Sequence, residues 1–404
     1  MKHKNNWQAF FIFLLLGIAG LLLGMVACQK ADESAKWYKG NLHTHSFWSD
    51  GDDFPEMIMS WYKERGYHFV ALTDHNILAR GEKWINMAED TMYRNAFAHY
   101  LEKYGEDWVN YKEDSGRLSI QLKTLEEYRP LFEKEDEFLI IQSEEITDRF
   151  ENKHLHLNAT NLEDLIKAQG GNSVVEVLQN NINAVKKMRE ETGIPTIVHI
   201  NHPNFHYSIS LEDMIALEGE QFFEVFNGHP QVHNQGDSAH IGTEEMWDQV
   251  NMAYLAKGKP LIYGLATDDS HHYHRQGKEW SNAGRGWIMV KSKSLTPSDL
   301  IAAIEKGDFY ASTGVTLDKL SFQNQQIDVR VAPEAGVNYE IIFIGVKKGE
   351  KEVLELSRIN GNQGSYKLTT DDLFVRVKIM SDKKHLNPIE DLDFEMAWTQ
   401  PFMH

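Results

Sequence analysis

A chain of 404 residues, 42% hydrophobic and with 10 tryptophans, can bury a large core and fits a barrel of ordinary size plus a smaller domain. Its formal net charge of −19 argues against nucleic-acid duplexes as partners, because phosphate backbones attract basic surfaces; a small phosphorylated molecule stays compatible where a metal cluster supplies local positive charge. The single cysteine excludes an internal disulfide and any cysteine-based zinc site, leaving the 19 histidines and the carboxylates as metal ligands.

Residues 1–28 read as a targeting segment: Lys2 and Lys4, then the apolar run AFFIFLLLGIAGLLLGMVAC ending at Cys28. The pattern resembles a bacterial lipoprotein signal with Cys28 as the lipidated residue, although Met25 stands where leucine is usual. The other reading of this run is an uncleaved membrane anchor. Both place the globular part outside the cytoplasm, in the cell envelope on the periplasmic or cell-surface side. Residues 29–36 form a polar, acidic tether that loosely resembles a surface-export signal.

Over residues 37–314 short apolar runs alternate with amphipathic ones, as strands alternate with helices in an α/β fold. WYKGNLHTH, HFVALTDH, EFLIIQSEEIT, HLHLNAT, IPTIVHINH, QFFEVFN and PLIYGLATDD are the expected strands. FPEMIMSWYKERG, SVVEVLQNNINAVKKMREETG, TEEMWDQVNMAYLAKG and TPSDLIAAIEKG are expected helices, each closing on a glycine. The stretch from Ile77 to Glu137 is expected to be a helical insertion over one end of the fold. Over residues 315–404 short strand-like runs separated by GNQG, TTDD and HLNP predict an appended all-β, sandwich-like domain.

Nearly every expected strand of the first region ends in polar residues that can hold a metal. In order these are His43 and His45, Asp74 and His75, Glu144 and Glu145, His154 and His156, His199 and His202, Asn227 and His229, and Asp268, Asp269 and His271. Parallel barrel strands present their C-terminal ends on one face, so this pattern predicts one site at the mouth of a barrel. Imidazole mixed with carboxylate suits zinc, manganese or iron, and the donors outnumber the needs of a single ion, so two or three divalent metals are expected. Such a cluster makes hydroxide from water at neutral pH and polarises a phosphoryl or carbonyl oxygen, which implies hydrolysis. Within each adjacent pair the residues alone leave the choice open: Glu144 or Glu145, His154 or His156, Asp268 or Asp269.

HTHSFWSDG, TDHN, SEEIT, HLNAT, NHPN and DDSH, in that order, resemble the motifs of the polymerase and histidinol phosphatase (PHP) superfamily of metal-dependent phosphoesterases, over about Lys39 to Gly314. The resemblance implies a distorted (β/α)7 TIM-like barrel with a trinuclear site. Its implied ligands are His43, His45, Asp50, His75, Glu145, His156, His202, Asp269 and His271. Asp74 or a neighbouring histidine would serve as proton donor to the leaving oxygen. His199 reads as a supporting residue. Arg80, Lys83, Arg275 and Arg285 lie near the expected mouth; Arg80, Arg275 and His229 are the residues assigned to a small phosphorylated substrate. Two rival functions share these features: amide or lactone hydrolysis on the same cluster, and a non-catalytic surface lipoprotein that binds metal or glycan.

Overall fold

The computed structural model describes residues 35–404; the expected leader with Cys28, and the tether up to residue 34, lie outside the described residues. Strand β1 (Lys36–Asn41) delivers the first histidine pair, and helix α1 (Pro55–Glu64) starts on a proline, whose missing N–H would have had no partner there. Strand β2 (Phe69–Leu72) is buried along its length. The insertion that follows is only partly helical. It contains β3 (Trp84–Asn86), α2 (Thr91–Tyr104), β4 (Tyr111–Asp114), β5 (Arg117–Gln121) and α3 (Leu125–Phe132). Its strands form an antiparallel sheet in the order β3-β5-β4. The reason is local: Asp114 pairs with Arg117 across Ser115 and Gly116, both at positive φ, the geometry that suits a two-residue hairpin.

A second departure involves β6 (Leu139–Phe150) and β7 (Lys153–Thr160). Phe150 pairs with Lys153, leaving only Glu151 and Asn152 as the turn, too short for a helical crossover. So β7 runs antiparallel to β6 and to β8 (Ile197–Ile200), and the strands are not all parallel as expected. An antiparallel strand brings its N-terminal half to the face where its parallel neighbours bring their C-terminal ends. That is how His154 and His156, early in β7, reach the same face.

Helices α4 (Val174–Thr192), α5 (Leu211–Ala216) and α6 (Thr243–Ala256) alternate with β8, β9 (Phe222–Asn227) and β10 (Tyr263–Thr267). The large sheet begins β10-β9-β8-β7-β6-β2-β1. Just past its ends the chain returns from β10 to β1: Asp269 N donates to His43 O at 3.0 Å and His45 N to Ser270 O at 2.9 Å. Beneath these polar ends lies an apolar floor. Leu42, Phe69, Ile141, Ile197, Phe222 and Leu265 pack together with Leu300 and Ile304 of α7 (Pro297–Glu305).

Beyond β1 the same sheet continues through β11 (Trp287–Ser292) and β12 (Phe309–Ser312). After α7 the described residues contain strands and no further helix: β13 (Leu317–Gln323), β14 (Gln326–Val331), β15 (Tyr339–Lys347), β16 (Leu354–Asn360), β17 (Gln363–Lys367), β18 (Asp372–Ile389) and β19 (Leu392–Thr399). Four of them extend the large sheet as β12-β19-β18-β15-β16, and β13-β14-β17 form a second sheet. Ile327 and Val329 of the small sheet share a core with Ile341, Phe343, Val377 and Ile379 of the large one. Pairing therefore runs across Gly314 without a break, and residues 36–404 form one compact unit. None of the described helices is long and apolar enough to cross a membrane.

One buried carboxyl tests this packing. Glu220, just before β9, is 2% exposed, neither oxygen has a hydrogen-bond partner on another residue, and burial pushes its pKa up to about 7. A carboxyl raised above its unfolded value favours folding while protonated, and that contribution is lost as pH climbs from about 4.5 through about 7. Glu220→Gln is expected to abolish part of this loss, raising stability at pH 8 by about 1–3 kcal/mol while changing little at pH 5. Thermal melts of both proteins at the two pH values check it.

Candidate metal centre

The structure places the members of each paired choice differently. In β6, Glu145 and Thr147 share one face while Ile146 joins the apolar cluster behind the strand. Glu144, on the outward side, accepts from Ile166 N at 2.6 Å, and burial raises its pKa to about 8. In β7, Leu155 and Leu157 pack behind and His156 points to the face of Glu145, with its Nδ1 2.9 Å from Glu145 Oε1. His154, on the same face, stands further out, its ring 6.0 Å from that of His156. Past β10, Asp268 is wholly committed: it accepts from Tyr62, Arg285 N and Gly286 N. The next residue, Asp269, takes a positive φ of 48° and turns into the cluster.

Two carboxylates organise the centre. Glu145 Oε2 lies 3.5 Å from His43 Nε2, 3.4 Å from His45 Nε2 and 2.9 Å from His75 Nδ1. Its Oε1 faces His156 at 2.9 Å and His202 at 3.6 Å. Asp269 Oδ1 lies 3.2 Å from both His43 and His45 and 3.6 Å from His271, and its Oδ2 is 3.9 Å from His202. The exposed Asp50 completes the outer side, 3.4 Å from His271, 3.5 Å from His75 and 3.8 Å from His45. All nine residues implied by the resemblance thus converge, and their donor atoms fall into overlapping groups that can hold divalent cations.

The donors fit such ions. His43 Nε2, both ring nitrogens of His45 and of His156, and Glu145 Oε2 are buried without a well-aligned hydrogen bond, although imidazole nitrogens and carboxylate oxygens stand as close as 2.9 Å, a costly arrangement unless a cation sits among them. Electrostatics agree. Burial disfavours charge on Glu145, yet the surrounding His75, His156 and His43 hold its carboxyl well below the usual range. Burial and the nearby His271 and His75 push His45 down to about 3, leaving it neutral and able to coordinate.

Glu224, the lone charge inside the apolar run FFEVF of β9, is a functional residue that no motif marks. It is fully buried and sits behind the centre: Oε1 is 2.6 Å from His43 Nδ1, accepts from Thr267 at 2.8 Å, and lies 3.5 Å from His199 Nε2. Oε2 accepts from His202 N and Asn227 Nδ2, both at 2.8 Å. A register shift between β9 and β10 at Leu265/Ala266 brings Asn227 to the face of Glu224, where it also donates to Asp269 Oδ2. His199 joins His43 and Glu224 in a group of its own. Glu224→Gln keeps the shape but removes the charge that fixes the His43 ring, so metal affinity is expected to fall about 10–100-fold, read by competition with a chromogenic chelator.

The other expected residues take different places. Asp74 is buried, and its oxygens accept from Ser46 N, Ser46 Oγ and Ser49 Oγ at 2.6–2.8 Å, so it positions the loop between His45 and Asp50. Arg80 is exposed and held by Gln142, Asp164 and the Glu163 carbonyl. Arg275 stacks on Trp280 at 4.8 Å and reaches Met92 Sδ. Lys83 donates to the Trp48 carbonyl, and the buried Arg285 to carbonyls of Gly228, Gly277, Trp280 and Asn387. His229 does stand at the centre, its ring 5.7 Å from that of His271, and burial lowers its pKa to about 4.

No protein-family model and no curated protein matches the chain. Among solved structures it is similar to a two-domain protein containing a predicted PHP-like metal-dependent phosphoesterase from Bacteroides vulgatus, with 14% identity and a TM-score of 0.39, over 92% of this chain and 96% of that one. It is also similar to a candidate metal-dependent phosphoesterase from Bifidobacterium adolescentis, with 13% identity and a TM-score of 0.29, over 60% of this chain and 90% of that one. Likeness at this level fixes neither fold nor reaction. The chemistry rests on this chain's own cluster of histidines and carboxylates.

Proposed function

We propose that the chain is a metal-dependent phosphoesterase of the PHP type, built on a closed, distorted seven-stranded barrel, exported and held to the envelope by lipid on Cys28. The observation that carries the hydrolase reading is the pair Glu145 and Asp269, each spanning two sets of imidazoles through its two oxygens. That arrangement suits two or three ions sharing bridging carboxylates. Bound zinc, manganese or iron would supply an activated water and neutralise charge on the phosphoryl oxygens.

The chain's own residues do the remaining work. Glu224 and Asn227 fix His43 and Asp269, Asn201 Nδ2 holds Glu145 Oε1 at 2.8 Å, and Asp74 ties down the loop bearing Asp50. His229 accepts from Gln231 N at Nδ1, so its proton sits on Nε2, ready to donate to a substrate oxygen. Phosphate release from a panel of monoesters and diesters by the metal-loaded protein tests the reading. Release that disappears in His43→Ala supports it. A loaded protein that cleaves amides or lactones but no phosphate ester would pass the site to another hydrolase class.

A further inference from the structure

The loop from Asn201 to Tyr207 carries more than His202. Its backbone takes positive φ at His202 (22°), His206 (51°) and Tyr207 (50°), a region strained for residues other than glycine. Several bonds hold that shape. Phe205 bridges to Val232, Phe205 N donates to His202 O at 2.9 Å, and Asn204 Nδ2 donates to the carbonyls of His233 and Ile241 at 2.9 Å each. The half-buried Phe205 ring is thereby fixed 5.0 Å from the ring of His202 and 6.5 Å from that of His156. On its other sides stand His154 at 5.7 Å, His206 at 4.4 Å and, edge-on at 88°, His229 at 5.7 Å. None of these three belongs to a candidate metal group.

Phe205 offers no metal donor, so the centre itself does not require it. Its rigid mounting beside two candidate ligands makes an aromatic wall at the place where a substrate's non-reacting part would lie. Among the described residues every ion pair of Asp50, Glu145, Glu224 and Asp269 is with a histidine, and Arg80, Arg275 and Arg285 are engaged elsewhere. Arg149, which pairs with His154 across β6 and β7, is exposed. A wall of rings recognises flat rings by stacking and edge-to-face contact.

We propose that Phe205, flanked by His154 and His229, determines specificity by taking a flat aromatic ring on the leaving group of a phosphate ester. This rests on the phosphoesterase reading for the phosphoryl half of the ligand. Calorimetric titration of the zinc-loaded protein with phenylphosphonate and methylphosphonate tests it, because the two carry the same charged head and neither is hydrolysed. The wild type is expected to bind the phenyl compound about tenfold tighter or more. Phe205→Ala should cut that ratio below about threefold, and Phe205→Leu, the milder variant should the alanine protein not fold, should fall between. A wild-type ratio near one, or a variant that keeps the full ratio, would overturn the inference. Binding of neither phosphonate would overturn it together with the phosphoryl reading. A Phe205-dependent preference without phosphate release from any ester would overturn the phosphoesterase reading alone.

Discussion

Glu145→Gln is expected to lower hydrolysis about a thousandfold, the effect of losing several kcal/mol of metal-based stabilisation. The substitution preserves volume but removes the charge that faces His43, His45, His75, His156 and His202 at 2.9–3.6 Å. An amide carries no charge to hold cations, and its NH2 end has no lone pair with which to coordinate one. The metal-free variant should nevertheless fold, because Glu145 sits at the polar face and not in the apolar floor. Parallel measurements of turnover and of the melting-temperature rise on adding zinc check this. Wild-type turnover with a full zinc-induced rise would refute the role given to Glu145. Glu144→Gln, one residue away on the other face, should leave zinc binding near that of the wild type.

Arg376→Met is expected to cost about 3–5 kcal/mol of stability, through removal of one partner of a buried ion network. Arg376 of β18 is 2% exposed; its Nε and Nη2 donate to both oxygens of Asp248 at 2.7 and 2.6 Å, and Nη1 lies 2.9 Å from Glu244. Both acids are on α6, so the network clamps the C-terminal strands onto the half of the chain that carries the metal centre. Glu244 keeps Lys378 at 2.6 Å when the arginine is gone, but Asp248 is left charged and buried. The melting temperature should fall by roughly 4–7 °C. Adding Asp248→Asn to the same protein should recover part of the loss, since the uncompensated charge is the main cost. A single variant that melts with the wild type would show that the clamp is dispensable.

Much of the site could be read from the sequence because its signal is local. Residues able to hold a metal sit at the ends of short apolar runs, and the runs are spaced as strands alternating with helices; His43, His75, Glu145 and Asp269 converge for that reason. Alternation within a strand separates Glu145 from Glu144, but only once the outward face is known to pack against Ile166. What escaped the sequence depends on distant pairing or on single backbone irregularities. The two-residue turn at Glu151–Asn152 reverses β7, and nothing in a run of alternating polarity distinguishes an antiparallel strand from a parallel one. Asn227 faces Glu224 only through a register shift between neighbouring strands. Arg80 and Arg285 lie near the expected mouth, yet partners 62 and 102 positions away, Gln142 and Asn387, engage them. The C-terminal strands join the large sheet through β12 and β19, a contact between residues that no local pattern brings together.

Elemental analysis of the wild-type protein purified without chelator tests the central claim most directly. Two to three equivalents of zinc, manganese or iron per chain are predicted, because the overlapping donor groups around Glu145 and Asp269 exceed the needs of a single ion. Less than one equivalent, unchanged after incubation with excess metal, would contradict the account.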